Sequence, residues 1–93
     1  MKNLSETRNN INTIDKKIAT LFEERMLLVE EVINYKIENN IEILDNGREK
    51  EVISKNLENI KNEKYQKYYI EFITSMMDIS KKYQREILEK RKK

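Results

Sequence analysis

Ninety-three residues with no proline and a single glycine, Gly47, contain almost nothing that stops a helix. Proline and glycine are the strongest local breakers, so a chain without them folds into long helices joined by few loops. Apolar residues recur at steps of three and four, the period of an amphipathic helix. The reading is all-α, three helices in one domain spanning residues 1–93. The first helix runs from about Asn3 to Asn39, and the Asn39-Asn40 pair ends its pattern. Ile41, Ile43 and Leu44 tack down the connector that follows. The second helix opens at Asp45-Asn46-Gly47-Arg48-Glu49 and runs to about Asn59. Lys61-Asn62-Glu63-Lys64 forms a turn, and the third helix runs from about Tyr65 to Glu89. The Lys90-Arg91-Lys92-Lys93 tail is frayed on this reading.

A first helix of about 36 residues is about 54 Å long. A chain this short buries only about 60–65% of its unfolded surface. The rest of the chain therefore cannot cover that helix, and an oligomer is expected. Its apolar seam is Ile11, Ile14, Ile18, Leu21, Leu28 and Val32, with a second stripe at Phe22, Val29 and Ile33. Two stripes imply contact with the chain itself and with a partner. The helix start is placed near Leu4 or Ser5, without the acidic half of a capping box. In the second helix Asn46 and Glu49 have capping-box spacing, and Asp45 is placed to cap or to sit at the positive helix end.

Composition excludes whole classes of chemistry. Charged residues make up 39% of the chain but the net charge is only +2, an interleaving that reads as solvated helix faces. No nucleic-acid partner is expected. With no cysteine there is no disulfide or thiolate chemistry, and with no histidine neither imidazole catalysis nor an ordinary zinc site. No apolar run approaches a membrane span and no signal-peptide core opens the chain, so a cytoplasmic protein with no membrane partner is expected.

The informative residues are polar ones on apolar faces. The seam step from Leu21 to Leu28 lands on Arg25. Burying a guanidinium unpartnered costs several kcal/mol, so Arg25 either meets a protein carboxylate or marks a place where the seam opens to hold an anion. Lys36 lies eleven positions on, within about 20° around the helix and about 16 Å along it. Those two side chains can grip the ends of one small molecule. Arg8 lies seventeen positions before Arg25, about 25 Å away, and joins the same site only if a second, antiparallel chain supplies it. On the third helix Ser80 and Gln84 lie in line with Ile73 and Met77, four apart and so neighbours. Each alone has a plain explanation: Asp45 as a cap, Arg48 and Glu49 as exposed first-turn charges, Ser80 and Gln84 as tolerated core polars. Together, rich in cations and lacking a nucleophile–base pair, they suit a small polycarboxylate. They also suit a reaction governed by shape and electrostatics.

These residues resemble the motifs of the all-helical chorismate mutases. Arg8 followed by Ile11-Asn12-Thr13-Ile14-Asp15 is similar to the family's opening. Glu24-Arg25 and Lys36 match its mid-helix arginine and following lysine, Asp45-x-x-Arg48-Glu49 its helix-2 signature, and Ser80-x-x-x-Gln84 its helix-3 pair. One departure is Glu42-Ile43, where relatives often carry a proline. The resemblance implies an intertwined homodimer of three-helix chains and the Claisen rearrangement of chorismate to prephenate, on the way to phenylalanine and tyrosine. It implies no cofactor, no metal and no covalent intermediate. It makes Arg25, with Arg8 of the other subunit, the clamp on the carboxylates. Lys36 and Gln84 become donors to the ether oxygen, Arg48 and Ser80 orient carboxylate and ring, and Glu49 with the Asp45 backbone holds the ring hydroxyl.

A stand-alone mutase is expected, because the sequence begins just before the first motif and ends just after the third helix. Two other readings stand beside it. An isochorismate pyruvate lyase of the same fold is distinguished by its products, and a non-catalytic helical interaction module by a protein carboxylate paired with Arg25.

Overall fold

The computed structural model describes residues 3–92. Helix α1 spans Leu4–Glu38, α2 Asn46–Leu57 and α3 Gln66–Arg91, with a short 3-10 turn at Glu63–Tyr65 before α3. No strand occurs among the described residues. The expected three-helix order stands.

Local chemistry sets the boundaries. Asn3 caps α1: its side-chain oxygen accepts from the Glu6 N–H at 2.8 Å. The helix starts at Leu4, as expected, and its cap is Asn3 with Glu6 three residues on, a spacing that the reading based on Ser5 overlooked. At the other end Asn40 takes a positive φ of 54°, which asparagine tolerates better than most residues. The Ile41 N–H then bonds the Lys36 carbonyl at 2.8 Å and the Asn40 N–H that of Ile37 at 3.4 Å. This pair of bonds is a Schellman closure. It turns the chain sharply just beyond Lys36, as the Asn pair implied. For α2 the cap is Asp45, whose carboxylate accepts from the Arg48 N–H at 3.0 Å. Asn46 is the first helical residue, so the capping box expected of it with Glu49 does not form. In the connector only Ile43 is half-buried while Ile41 and Leu44 are exposed, so the loop is tacked down at one point of the three expected. The tail is more ordered than expected: Lys90 and Arg91 stay in α3, and the Arg91 guanidinium donates to the Asn34 side chain. Lys93 lies outside the described residues.

The order of contacts gives the topology. Arg25 meets Ser80, and further along both helices Lys36 meets Gln84 and Asn34 meets Arg91, so α1 and α3 run parallel. Glu49 meets Lys81 while Asn56 meets Tyr69, so α2 runs antiparallel to α3. α2 packs on α3 and makes no packing contact with α1.

The buried core is thin. Val29 and Ile33 of α1 close on Ile73 and Met77 of α3, with the polar Ser80 and Gln84 buried on the same face. Tyr83 joins α3 to α1 at the edge, where burial and then the Glu30 carboxylate push its phenol above the usual range. The stripe read as a second contact face is thus the one used within the chain. The main seam is not: Ile11, Ile14, Ile18, Leu21, Leu28 and Val32 are each between 46% and 61% exposed. From Asn3 to Glu24 every residue of α1 is exposed, and the molecule is 57 Å long by only 14 Å deep. An apolar stripe of this length marks an interaction surface.

Ile33 is the most deeply buried of these side chains, at 1% exposure. Replacing Ile33 with valine is expected to destabilise the fold by about 1 kcal/mol, read from the midpoint of chemical denaturation. An unchanged midpoint would place the core elsewhere.

Candidate active site

Parallel packing of α1 on α3 brings the two cations of α1 against the two buried polar residues of α3. The Arg25 guanidinium donates to the Ser80 hydroxyl at 2.5 Å, and that hydroxyl in turn donates to the Met76 carbonyl at 2.9 Å. Ser80 is therefore oriented by its own helix to receive the arginine. Among the described residues no carboxylate lies within 4 Å of the Arg25 guanidinium. Its side-chain hydrogen-bond partner among the described residues is the Ser80 hydroxyl.

Lys36 is held in the same manner one level along. Its ammonium donates to the Ile43 carbonyl at 2.8 Å and to the Gln84 Oε1 at 3.4 Å. The Schellman closure explains the first contact, because it folds the connector back across the end of α1. An ammonium has three donors and a side-chain amide has two on its nitrogen. With Gln84 accepting through its oxygen, its NH2 group and one ammonium proton remain to meet a ligand. No buried side-chain nitrogen or oxygen is left without a partner among the described residues.

Arg25 faces two openings. One is a cleft of about 390 Å³ lined by Arg25, Arg48, Val52, Lys55, Asn56, Tyr69, Ile73 and Met76. The other is a larger groove of about 670 Å³ between α1 and α3, floored by Ile18, Phe22, Phe72 and Ile79. Lys36 lines a separate hollow against the connector, with Ile43 and Leu88. No group of acidic side chains among the described residues is arranged to hold a metal ion.

The first turn of α2 behaves in three ways. Asp45 is engaged in capping. Arg48 faces the cleft but pairs with Glu51 at 3.2 Å and remains exposed, close to the plain reading of it. Lys55 and then Arg48 in turn hold the Glu51 carboxyl below its ordinary 4.5. Glu49 is half-buried and pairs at 2.9 Å with Lys81 of α3, so it is not the free first-turn charge it resembled. Arg8 lies on the exposed arm of α1, seventeen positions before Arg25, and meets none of the other candidates within the chain.

Two residues escaped the sequence reading. Lys55 lines the cleft beside Arg25, and Lys81 holds Glu49. Both stand amid interleaved charges of both signs, so no spacing rule separates them from solvated lysines. The Glu49 hydrogen bond holds the Lys81 ammonium above its ordinary 10.5, with loss of hydration opposing and Asp78 assisting. Folding thus favours the charged lysine. That contribution is complete at neutral pH and is lost only as pH rises through the raised value.

Comparison with known proteins points to one family. Residues 7–85 match the family described as chorismate mutase type II. A stretch of 48 residues, 52% of this chain, is 50% identical to a bifunctional chorismate mutase/prephenate dehydratase of Buchnera aphidicola subsp. Acyrthosiphon pisum (strain APS). The match covers 12% of that longer relative. No solved structure matches. The match runs from just before Arg8 to just past Gln84, across all three helices and every candidate position: this chain belongs to the chorismate mutase type II family.

Proposed function

We propose that this chain rearranges chorismate to prephenate, working as an intertwined homodimer in which each site is completed by the partner's Arg8. One observation carries the reading. Two cations on one face of α1 are each held by a buried neutral group, Arg25 by Ser80 and Lys36 by Gln84. Neither is neutralised by a carboxylate within 4 Å among the described residues. A site so arranged is short of negative charge, and a dicarboxylate supplies it.

The chemistry follows from the residue types. The substrate is a flexible dianion that reacts through a compact chair-like geometry. Its ether C–O bond breaks while a new C–C bond forms, and negative charge grows on the ether oxygen. No proton is transferred, so no general base is needed. Arg25 with the partner's Arg8 fixes the carboxylates, which converts a floppy molecule into a reactive conformer. Arg48 and Ser80 orient carboxylate and ring. Lys36 and the Gln84 amide donate to the ether oxygen. They act more strongly in the transition state than in the ground state, and that difference is what accelerates the reaction. Glu49 and the Asp45 backbone hold the ring hydroxyl.

The homodimer is supported by the uncovered seam of α1. Two arms packed antiparallel along Ile11, Ile14, Ile18 and Leu21 bury those residues and carry Arg8 toward the partner's Arg25. Ile14→Glu is expected to shift the protein from dimer to monomer in sedimentation and to abolish activity with it. A dimer persisting at unchanged concentration dependence would place the interface elsewhere.

The Gln84 amide carries no ionisable group and donates without first gaining a proton. The rate is therefore expected to stay flat between about pH 6 and 8. A glutamate in place of Gln84 would need a proton to donate. Kinetics across that range test the point, and a sharp loss within it would contradict the role given to Gln84.

A further inference from the structure

α2 carries the candidate groups Arg48 and Glu49, with Asp45 as its cap, yet has no fully buried residue of its own. It rests on α3 alone, through the half-buried Val52, Ile53 and Leu57. So thin an apolar contact leaves its position to a few polar ties. At its C-terminal end the Tyr69 hydroxyl donates to the Asn56 side chain at 3.2 Å. At its N-terminal end the tie is the ion pair between Glu49 and Lys81, 2.9 Å long, with side chains only 26% and 17% exposed. Lys81 follows Ser80 directly, so this pair fixes the first turn of α2 beside the hydroxyl that receives Arg25.

We propose that Lys81 is a positioning residue, which holds the Glu49 carboxylate in the orientation that receives the substrate's ring hydroxyl. The inference rests on the functional reading above and extends it to a residue outside the family's motif positions. Lys81 bonds Oε2 of Glu49, and a carboxylate has acceptor sites on its other oxygen for a hydroxyl. Its second tie, to Asp78 at 3.3 Å, is to an exposed neighbour on its own helix, where an ion pair contributes little.

The test is a double-mutant cycle in chorismate kinetics on the 93-residue chain. Glu49 grips a group that does not change during the reaction, so its loss weakens ground state and transition state alike. Lys81→Met is expected to raise KM about tenfold, the scale of one hydrogen bond to a charged group, with kcat little changed. Lys81→Arg keeps the charge and restores KM. The Lys81→Met, Glu49→Gln double variant is no worse than Glu49→Gln alone, because both remove one interaction. Asp78→Asn behaves as wild type. Melting temperatures of all variants are recorded beside the kinetics. An unchanged KM in Lys81→Met, or additive losses in the double variant, would overturn the positioning role while wild-type turnover leaves the functional reading in place. A fall in melting temperature and in apparent kcat at wild-type KM would mark Lys81 as merely structural. Absence of turnover in the wild type would overturn the functional reading, and the role of Lys81 with it.

Discussion

Lys36→Ala is expected to lower kcat/KM by at least about 3 kcal/mol, which is the scale of removing one oriented donor from developing charge. The loss is expected mainly in kcat, because the target proposed for this donor, the ether oxygen, becomes strongly basic only as the bond breaks. Arg25→Ala is expected to cost at least as much, but with a larger share in KM, since the substrate carboxylate proposed for it is charged throughout. Lys36 also bonds the connector at Ile43 and the buried Gln84, so circular dichroism and melting are measured beside the kinetics to separate catalysis from folding. Wild-type-like kinetics for Lys36→Ala would remove the assigned mechanism, whatever the reaction proves to be.

Mixing Arg8→Ala with Lys36→Ala is expected to restore activity that neither variant has alone. In a mixed dimer one site draws an intact Lys36 from one chain and an intact Arg8 from its partner, while the other site lacks both. Random exchange makes about half the dimers mixed, so activity should approach about one quarter of wild type. The argument depends on helix geometry. Arg8 and Arg25 are seventeen residues apart on one continuous helix, about 25 Å of axis, which no arginine spans. Absence of recovery, once subunit exchange has been shown by a tagged chain, would mean that Arg8 is not supplied by the partner.

Much of this was legible in the residues because helices leave strong periodic signals. The lack of breakers set the class, and the Asn39-Asn40 pair marked where α1 stops. The polar outliers Arg25, Ser80 and Gln84 could be placed on apolar faces before any contact was known. Pairing was less legible. That Arg25 would meet Ser80, and Lys36 would meet Gln84, depends on the register of α1 against α3, which helix period alone does not fix. Two apolar stripes were legible, but which of them packs within the chain was not: Val29 and Ile33 do, and the seam from Ile11 to Val32 stays exposed. A hydrophobic stripe records an apolar face without recording what packs on it. The start of α1 at Leu4 was legible, but its cap was not, because Asn3 with Glu6 lies just ahead of Ser5. Lys81 was invisible for a different reason. One lysine among so many charges gains its meaning only from a carboxylate brought to it by another helix.

The most direct test is continuous absorbance of purified protein with chorismate, followed by identification of the product. Rapid loss of chorismate with prephenate as the sole product is the predicted result. Chorismate that remains unconsumed by folded, dimeric protein would contradict the account. The match of motif positions would then describe ancestry alone, and Arg25 would be a feature of packing.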